Sequence, residues 1–86
     1  MTFNELKAAL HGDTIEILGE DLDSFSRVDA QELDELAEDY RRTAGSSVLP
    51  MWAQDIGRSG LGAVADNFEW AADRIRLRLR CEEAAW

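Results

Sequence analysis

Apolar residues recur at intervals of three and four through most of the chain, and this spacing predicts helices. The first predicted helix opens with Thr2 and Glu5 at the spacing of a capping box, which satisfies free N–H groups at a helix start. Gly12 is the kind of residue that ends a helix. The apolar positions that share one face of this helix are Phe3, Leu6 and Leu10.

A second helix is predicted from one narrow apolar stripe. The stripe consists of Leu33, Leu36, Ala37 and Tyr40. Asp29 and Glu32 have the spacing of a capping box, and Val28 and Leu33 occupy the two positions of a hydrophobic staple. Gly45 is expected to end the helix.

Two connecting segments have weaker patterns. Between Asp13 and Phe25, Ile15 and Ile17 alternate with polar neighbours as in a strand, yet the segment could also cap a helical turn, so we expect an irregular segment or a short helix. Residues Ser46 to Ile56 predict a short third helix with a proline in its first turn. The apolar residues on one face of that helix are Leu49, Trp52 and Ile56.

The longest helix is predicted to run from about Leu61 to Ala84, after a break at Gly57, Gly60 and Gly62. Its apolar residues alternate in steps of four and three, as in helix packing. They are Leu61, Ala65, Phe68, Ala72, Ile75 and Leu79. Within it, the segment 74–81 alternates basic and apolar residues, which is strand periodicity. Helix is favoured because alanine pairs lie on both sides, and the strand stays open as an alternative.

Together these elements predict an all-α fold, a compact bundle of three to four helices with a long C-terminal helix, in a single helical domain over residues 1–86. The predicted core consists of Phe3, Leu6, Leu10, Leu33, Leu36, Tyr40, Trp52, Ile56, Leu61, Phe68, Ile75 and Leu79.

The charge of the chain is strongly acidic and unevenly spread. Its 86 residues carry a formal net charge of −9, and the segment 13–39 holds eleven carboxylates against one base, Arg27. This distribution argues against direct nucleic-acid binding, which needs a basic face, and favours a basic protein partner. The N-terminal ten residues include Glu5 and Lys7 instead of an apolar signal region, and no apolar stretch is long enough for a membrane span. We therefore expect a cytoplasmic protein with no membrane partner.

Catalytic and metal-binding chemistry has little support in the sequence. Cys81 and His11 are each the only residue of their type, so no disulfide, thiolate cluster or histidine-based triad can form within the chain. We expect the Cys81 thiol to be buried and inert. Acidic residues 21, 23, 29 and 32 match ligand positions of a calcium loop, but its sixth position, which requires glycine, is Ser26. The prediction is a protein that is not an enzyme and has no metal or cofactor.

One candidate site lies on the second helix, where carboxylates point away from the apolar stripe. This acidic face consists of Glu32, Asp34, Glu35, Glu38 and Asp39. Such a face can be merely a solvated surface, or it can imitate the phosphates of a nucleic acid and occupy the basic groove of an enzyme. The second interpretation predicts a stoichiometric inhibitor of a basic, nucleic-acid-handling protein, comparable to phage- or plasmid-type inhibitors, antitoxins or immunity proteins.

A second candidate lies on the last helix, opposite its main apolar face. It combines Trp70, Leu77 and Cys81 with the flanking Arg74 and Arg78, and Ala84 continues the same side. A surface helix normally has one apolar face, so the second is covered either by the first helix or by a partner. If a partner covers this face, the face is a dimer or partner interface, and the protein can be a homodimer or a self-associating structural subunit. A DNA-binding regulator that uses arginines 74, 76, 78 and 80 is the least favoured class, because those arginines split onto two sides of the helix.

Overall fold

The computed structural model describes residues 2–12, 22 and 24–84, and the side chains of all of these except 83 and 84. Within these residues the chain forms four helices: α1 (Phe3–Leu10), α2 (Arg27–Ala44), α3 (Met51–Gln54) and α4 (Gly57–Ala84). The predicted all-α fold with a long C-terminal helix is therefore confirmed. The uncertain segment 13–25 lies mostly outside the described residues, although Leu22 and Phe25 within it are buried.

Helix α1 begins where the sequence predicts it. Thr2 is its N-cap, and its hydroxyl accepts a hydrogen bond from the Glu5 backbone N–H at 3.2 Å. Leu6 and Leu10, one turn apart on the predicted face, are fully buried, and Phe3 is half-buried against the same core. The first helix thus attaches to the bundle through the stripe that predicted it.

The predicted start of α2 was wrong by three residues. The N-cap is Ser26, whose hydroxyl accepts from the Asp29 backbone N–H at 3.5 Å, while the Asp29 carboxylate accepts from the Ser26 N–H at 2.9 Å. Asp29 is therefore the third helical residue of a capping box and not its N-cap. The earlier start places Val28 on the outer face, 69% exposed, so the staple predicted for Val28 is also wrong. Gly45 ends the helix as predicted.

Only the first of the three glycines after α3 breaks the chain, which corrects the predicted start of the long helix near Leu61. Helix α4 begins at Gly57 itself, whose φ of +76° lies in the left-handed region that favours glycine. Gly60 and Gly62 are interior to the helix, and a Cβ built on Gly60 would lie 2.9 Å from the Ile56 Cγ2 atom. The first glycine therefore makes a sharp turn, and the second admits the Ile56 side chain against the helix.

The connection between α2 and α3 is held by Arg58 from the first turn of α4. Its guanidinium donates to the carbonyl of Ala44 at 2.8 Å, to that of Ser47 at 3.2 Å, and to that of Ser46. These carbonyls lie at or just beyond the end of α2, where helix geometry leaves acceptors without partners. Helix α3 that follows is a single turn, much shorter than the predicted 46–56 helix, with Pro50 at its N-cap.

Helices α2 and α4 pack side by side and antiparallel. Arg41 near the end of α2 contacts Asp66 in the first half of α4, whereas Asp34, earlier in α2, contacts Arg76 further along α4. Both long helices contribute small buried residues at a spacing of seven to the same hydrophobic core, and we call these residues the alanine seam. It consists of Ala30 and Ala37 on α2 and Ala65 and Ala72 on α4.

The predicted core is correct at most positions. Leu33, Leu61, Phe68 and Ile75 are fully buried in addition to the two leucines of α1, and the segment 74–81 is helical. The partly buried residues that pack against this core include the predicted Phe3, Leu36, Tyr40 and Leu79. Trp52 was predicted to be in the core and is 52% exposed, because a one-turn helix cannot turn three apolar residues inward together.

Candidate partner-binding surfaces

The outer side of α2 carries three carboxylates that are open to solvent. Glu32, Glu35 and Glu38 are all exposed, and none has an ion-pair partner among the described residues. Glu35 accepts only a long hydrogen bond, 3.5 Å, from the amide of Gln31 on the preceding turn. At 1.5 Å of rise per residue, neighbouring members of this row are separated by about 4.5 Å along the helix axis. We call these three residues the open carboxylates.

The other two members of the acidic face have partners. The Asp34 carboxylate lies 2.6 Å from the Arg76 guanidinium of α4, and Asp39 lies 3.4 Å from Arg42 on its own helix. Asp34 therefore joins α2 to α4. Its position in the sequence had predicted that it points away from the bundle, and that prediction was wrong. The structure divides the predicted acidic face into a bridging residue, a locally paired residue and the open carboxylates.

A carboxylate on α4 widens the acidic surface beyond what the sequence predicted. Glu69 lines the same shallow depression as Gln31, Asp34, Glu35 and Glu38. Its carboxylate also accepts a hydrogen bond from Arg41, which lowers the pKa of Glu69 below its ordinary value and keeps it charged. The Arg41 guanidinium also contacts Asp66, at 2.7 Å. No signal in the sequence placed Glu69 here, because the antiparallel register of α2 and α4 sets this neighbourhood.

Most arginines of the chain have partners within the fold. Arg58 binds backbone carbonyls, Arg41 and Arg76 bind carboxylates across the two long helices, and Arg78 donates to the Phe25 carbonyl at 2.9 Å. A guanidinium that is bound in this way presents fewer donors to an outside ligand. These four guanidinium groups are therefore bound by atoms of the fold, whereas the open carboxylates have no basic partner among the described residues.

The second apolar face predicted on α4 is only partly covered. Trp70 packs against the core, and the Arg74 guanidinium lies 5.8 Å from the centre of its ring. Arg78 is turned toward the backbone of residue 25 and toward Glu82, which it contacts at 2.9 Å. Leu77 is 48% exposed. The first helix therefore does not cover all of this face.

The prediction for Cys81 was wrong. Its thiol is exposed and not buried, because it lies on the same outward side of α4 as Leu77. The side chain of Ala84, the last residue predicted for this face, lies outside the described part of the structure.

Residues 48–52 present apolar side chains that sequence reasoning did not single out as a surface. Val48 and Met51 are largely exposed beside the half-exposed Trp52. Trp52 lies against Tyr40, with ring centres 5.3 Å apart, which anchors one side of its indole. Because Trp52 was predicted to be in the core, no signal in the sequence marked this segment as exposed.

The one histidine has a structural role. His11 Nδ1 lies 2.7 Å from the Lys7 carbonyl, which can only accept, so this nitrogen carries the proton. The other nitrogen, Nε2, then accepts from the Tyr40 hydroxyl at 2.9 Å, and partial burial raises the pKa of that hydroxyl. The ring also packs edge-on against Phe68. Both polar atoms of the imidazole are therefore occupied in joining α1 to α2.

Comparison with known proteins gives no family for this chain: no protein-family model, curated protein or solved structure matches it. Over the described residues, no three histidine, cysteine or acidic side chains are grouped so that they could hold a metal ion. In the same part of the chain, no helix has both the length and the apolar character needed to cross a membrane.

Proposed function

We propose that the protein is a small acidic protein-binding module that acts stoichiometrically and docks a basic, nucleic-acid-handling protein through α2. The observation that carries this proposal is the contrast between the open carboxylates and the arginines. Glu32, Glu35 and Glu38 are exposed and lack basic partners in the described chain, while most arginines have partners within the fold. A surface of this kind attracts a basic groove and repels nucleic acid.

The geometry of α2 suits inhibition by mimicry. The helix is 18 residues long, with a capped start, and packs along α4, so its outer face is held rigid before a partner arrives. A preorganised row of carboxylates loses little conformational entropy on binding. Its negative potential also raises the rate of encounter with a basic protein. We propose that the open carboxylates occupy positions that nucleic-acid phosphates fill in the partner, and that this inhibition is cytoplasmic, where the exposed Cys81 thiol would stay reduced.

The test compares four forms of the protein as bait in a bacterial lysate, at about 50 and about 300 mM salt, a range over which surface charge is progressively screened. The forms are wild type, Glu38→Lys, the double variant Glu35→Lys with Glu38→Lys, and the control Asp55→Lys. Asp55 is exposed outside α2, so its reversal matches the charge change of Glu38→Lys at another place.

We expect wild type and the control to retain the same nucleic-acid-handling protein at low salt, and double-stranded DNA to displace it. The association rate of that protein should fall about tenfold or more for the double variant, because electrostatic steering is lost. Equal retention by all four forms, or an association rate that is unaffected by salt and by both lysines, contradicts the proposal.

A second candidate function is self-association of a structural subunit through the face of α4 that holds Trp70 and Leu77. The observation in its favour is the exposure of Leu77 on a helix whose opposite side is already buried. Light scattering over a concentration series tests it directly. A mass that stays at that of one chain, 9.7 kDa, throughout the series eliminates this candidate and leaves the acidic module unaffected.

A further inference from the structure

Helix α4 presents a short stripe of three exposed residues on the side opposite Ile75. Asp73, Leu77 and Arg80 follow one another at spacings of four and three, so they share one helix face. Neither Asp73 nor Arg80 has an ion-pair partner among the described residues. Together with Arg76 they line one shallow surface depression. We call Asp73, Leu77 and Arg80 the α4 stripe.

The charges of the α4 stripe are complementary to themselves under a two-fold rotation. A carboxylate lies about one turn before Leu77 and a guanidinium about one turn after it. In a two-fold interface every contact occurs twice: if one residue of the first copy contacts another residue of the second, the same two residues also meet with the copies exchanged. Two antiparallel copies of α4 that cross at Leu77 would therefore bring Asp73 of each copy opposite Arg80 of the other.

We propose that the α4 stripe is the contact between two copies of this chain, with α4 antiparallel to its counterpart. Leu77 packs on Leu77 of the second copy at the centre, and two Asp73–Arg80 ion pairs flank it symmetrically. This proposal deepens the second candidate function by naming the partner and the register, and it does not depend on the open carboxylates.

The same reasoning excludes the outer face of α2 as the contact between two copies. A two-fold contact there would place the open carboxylates, Glu32, Glu35 and Glu38, against one another, and like charges in contact are unfavourable. The α4 stripe instead carries one charge of each sign, with an exposed leucine between them. A contact made by one leucine from each copy and two exposed ion pairs is small, so we expect a weak, concentration-dependent dimer.

The test is a charge exchange between two variants. In Arg80→Glu alone, Asp73 of each copy would face a glutamate, and in Asp73→Arg alone, Arg80 would face an arginine. Each variant by itself should dimerise about tenfold more weakly than wild type, because two ion pairs become two repulsions. In an equimolar mixture, each mixed dimer contains one wild-type pair and one reversed but attractive pair, so dimerisation should return to near the wild-type level.

Sedimentation velocity from about 10 µM to about 1 mM protein, the range for a contact of this size, measures the equilibrium. Arg42→Glu and Asp55→Lys are controls, since they change charge at exposed positions outside the α4 stripe and should leave dimerisation unchanged. Circular dichroism of each variant checks that the helices are retained.

A second measurement uses crosslinking in the Cys81→Ser background, which removes the exposed native thiol. Leu77→Cys should form a disulfide dimer under mild oxidation, because the two positions meet at the axis. Asp73→Cys alone should not, because its two copies would lie about 12 Å apart along the antiparallel helices, beyond the reach of a disulfide. Mixing Asp73→Cys with Arg80→Cys should give a crosslink between the two variants.

The outcomes separate this inference from the functions proposed above. A monomer at every concentration overturns the inference and the second candidate function, while the acidic module stands. A wild-type dimer that the mixed variants do not restore, or that crosslinks through Asp73→Cys alone, overturns the antiparallel register and leaves self-association by another face. Recovery in the mixture, together with the Leu77→Cys crosslink, supports the inference.

Discussion

Substituting each glycine of α4 by alanine tests where this helix begins. Gly57, Gly60 and Gly62 all lie within α4, yet their surroundings differ. A Cβ at Gly62 would have no atom within 4 Å, whereas at Gly60 it would lie 2.9 Å from the Ile56 Cγ2 atom. Gly57 has open space around it but a φ of +76°. The same substitution should therefore have three different effects within six residues.

The expected magnitudes follow from these surroundings. Gly62→Ala should raise the free energy of unfolding by about 1 kcal/mol, because alanine is the better helix former and meets no obstacle. Gly57→Ala should lower it by about 1–2 kcal/mol, the cost of a left-handed backbone for a residue with a Cβ. At Gly60 the same helix-forming gain is opposed by overpacking that costs about 1–3 kcal/mol, so we expect a net loss of up to about 2 kcal/mol.

Urea unfolding followed by circular dichroism measures all three variants against wild type. For a domain of this size each kcal/mol corresponds to a change of about 4–8 °C in Tm, so thermal melts give an independent check. The predicted order of stability is Gly62→Ala, wild type, then Gly60→Ala and Gly57→Ala. If Gly57→Ala is as stable as wild type, the left-handed start is wrong and the helix begins later in the chain. If Gly62→Ala is destabilised, residue 62 is not a helix interior.

Two arginines give further predictions. Arg58→Ala should lower the free energy of unfolding by about 1–2 kcal/mol, because three carbonyls near the end of α2 lose a charged donor, and Arg58→Lys should recover only part of this loss in urea unfolding. Arg41→Ala should lower the free energy of unfolding by no more than about 1 kcal/mol, since the ion pair of Arg41 with Glu69 is exposed. The fold lowers the pKa of Glu69 below its ordinary value of 4.5. The stability that this ion pair contributes is therefore fully present above pH 4.5 and is lost as the pH falls through the lowered pKa of the folded protein. The stability difference between wild type and Arg41→Ala should therefore narrow below pH 4.5, and a difference that is constant down to pH 2 contradicts this account.

The sequence predicted which segments are helical and which residues are buried far better than it predicted the residues at which α2 and α4 begin. The stripes through Leu33 and Phe68 were sufficient because burial of apolar residues at helical spacing dominates the energetics of the bundle. The start of α2 was missed because Ser26 and Asp29 form a capping box three residues before the pair with the same spacing that was chosen. The start of α4 was missed because glycine can break a helix, turn sharply into one, or lie inside it, and only the tertiary surroundings decide.

The sequence predicted which residues lie on the candidate surfaces, but not which of them are bound by other side chains of the fold. Periodicity placed Glu35 and Glu38 on the outer side of α2, and both are exposed there. It could not show that Asp34 is bound by Arg76, or that Glu69 lies beside the acidic face, because both depend on the register of two helices far apart in sequence. Arg78 likewise looked like a flank of an open face, and its hydrogen bond to the Phe25 carbonyl depends on where the segment before α2 lies.

The alanine seam has a consequence for how this protein can vary. Ala30 and Ala37 on α2 and Ala65 and Ala72 on α4 are at most 1% exposed and belong to one hydrophobic core, so each position holds a methyl group enclosed by neighbouring side chains. A larger residue at any of these four positions would move one whole helix outward, since close-packed interiors absorb little extra volume. Such a shift would stretch the cross-helix ion pairs of Arg41 and Arg76 although neither arginine has changed. Substitutions of exposed residues can therefore change one at a time without moving the helices. A larger residue in the alanine seam would instead change the positions of many surface residues of α2 and α4 together.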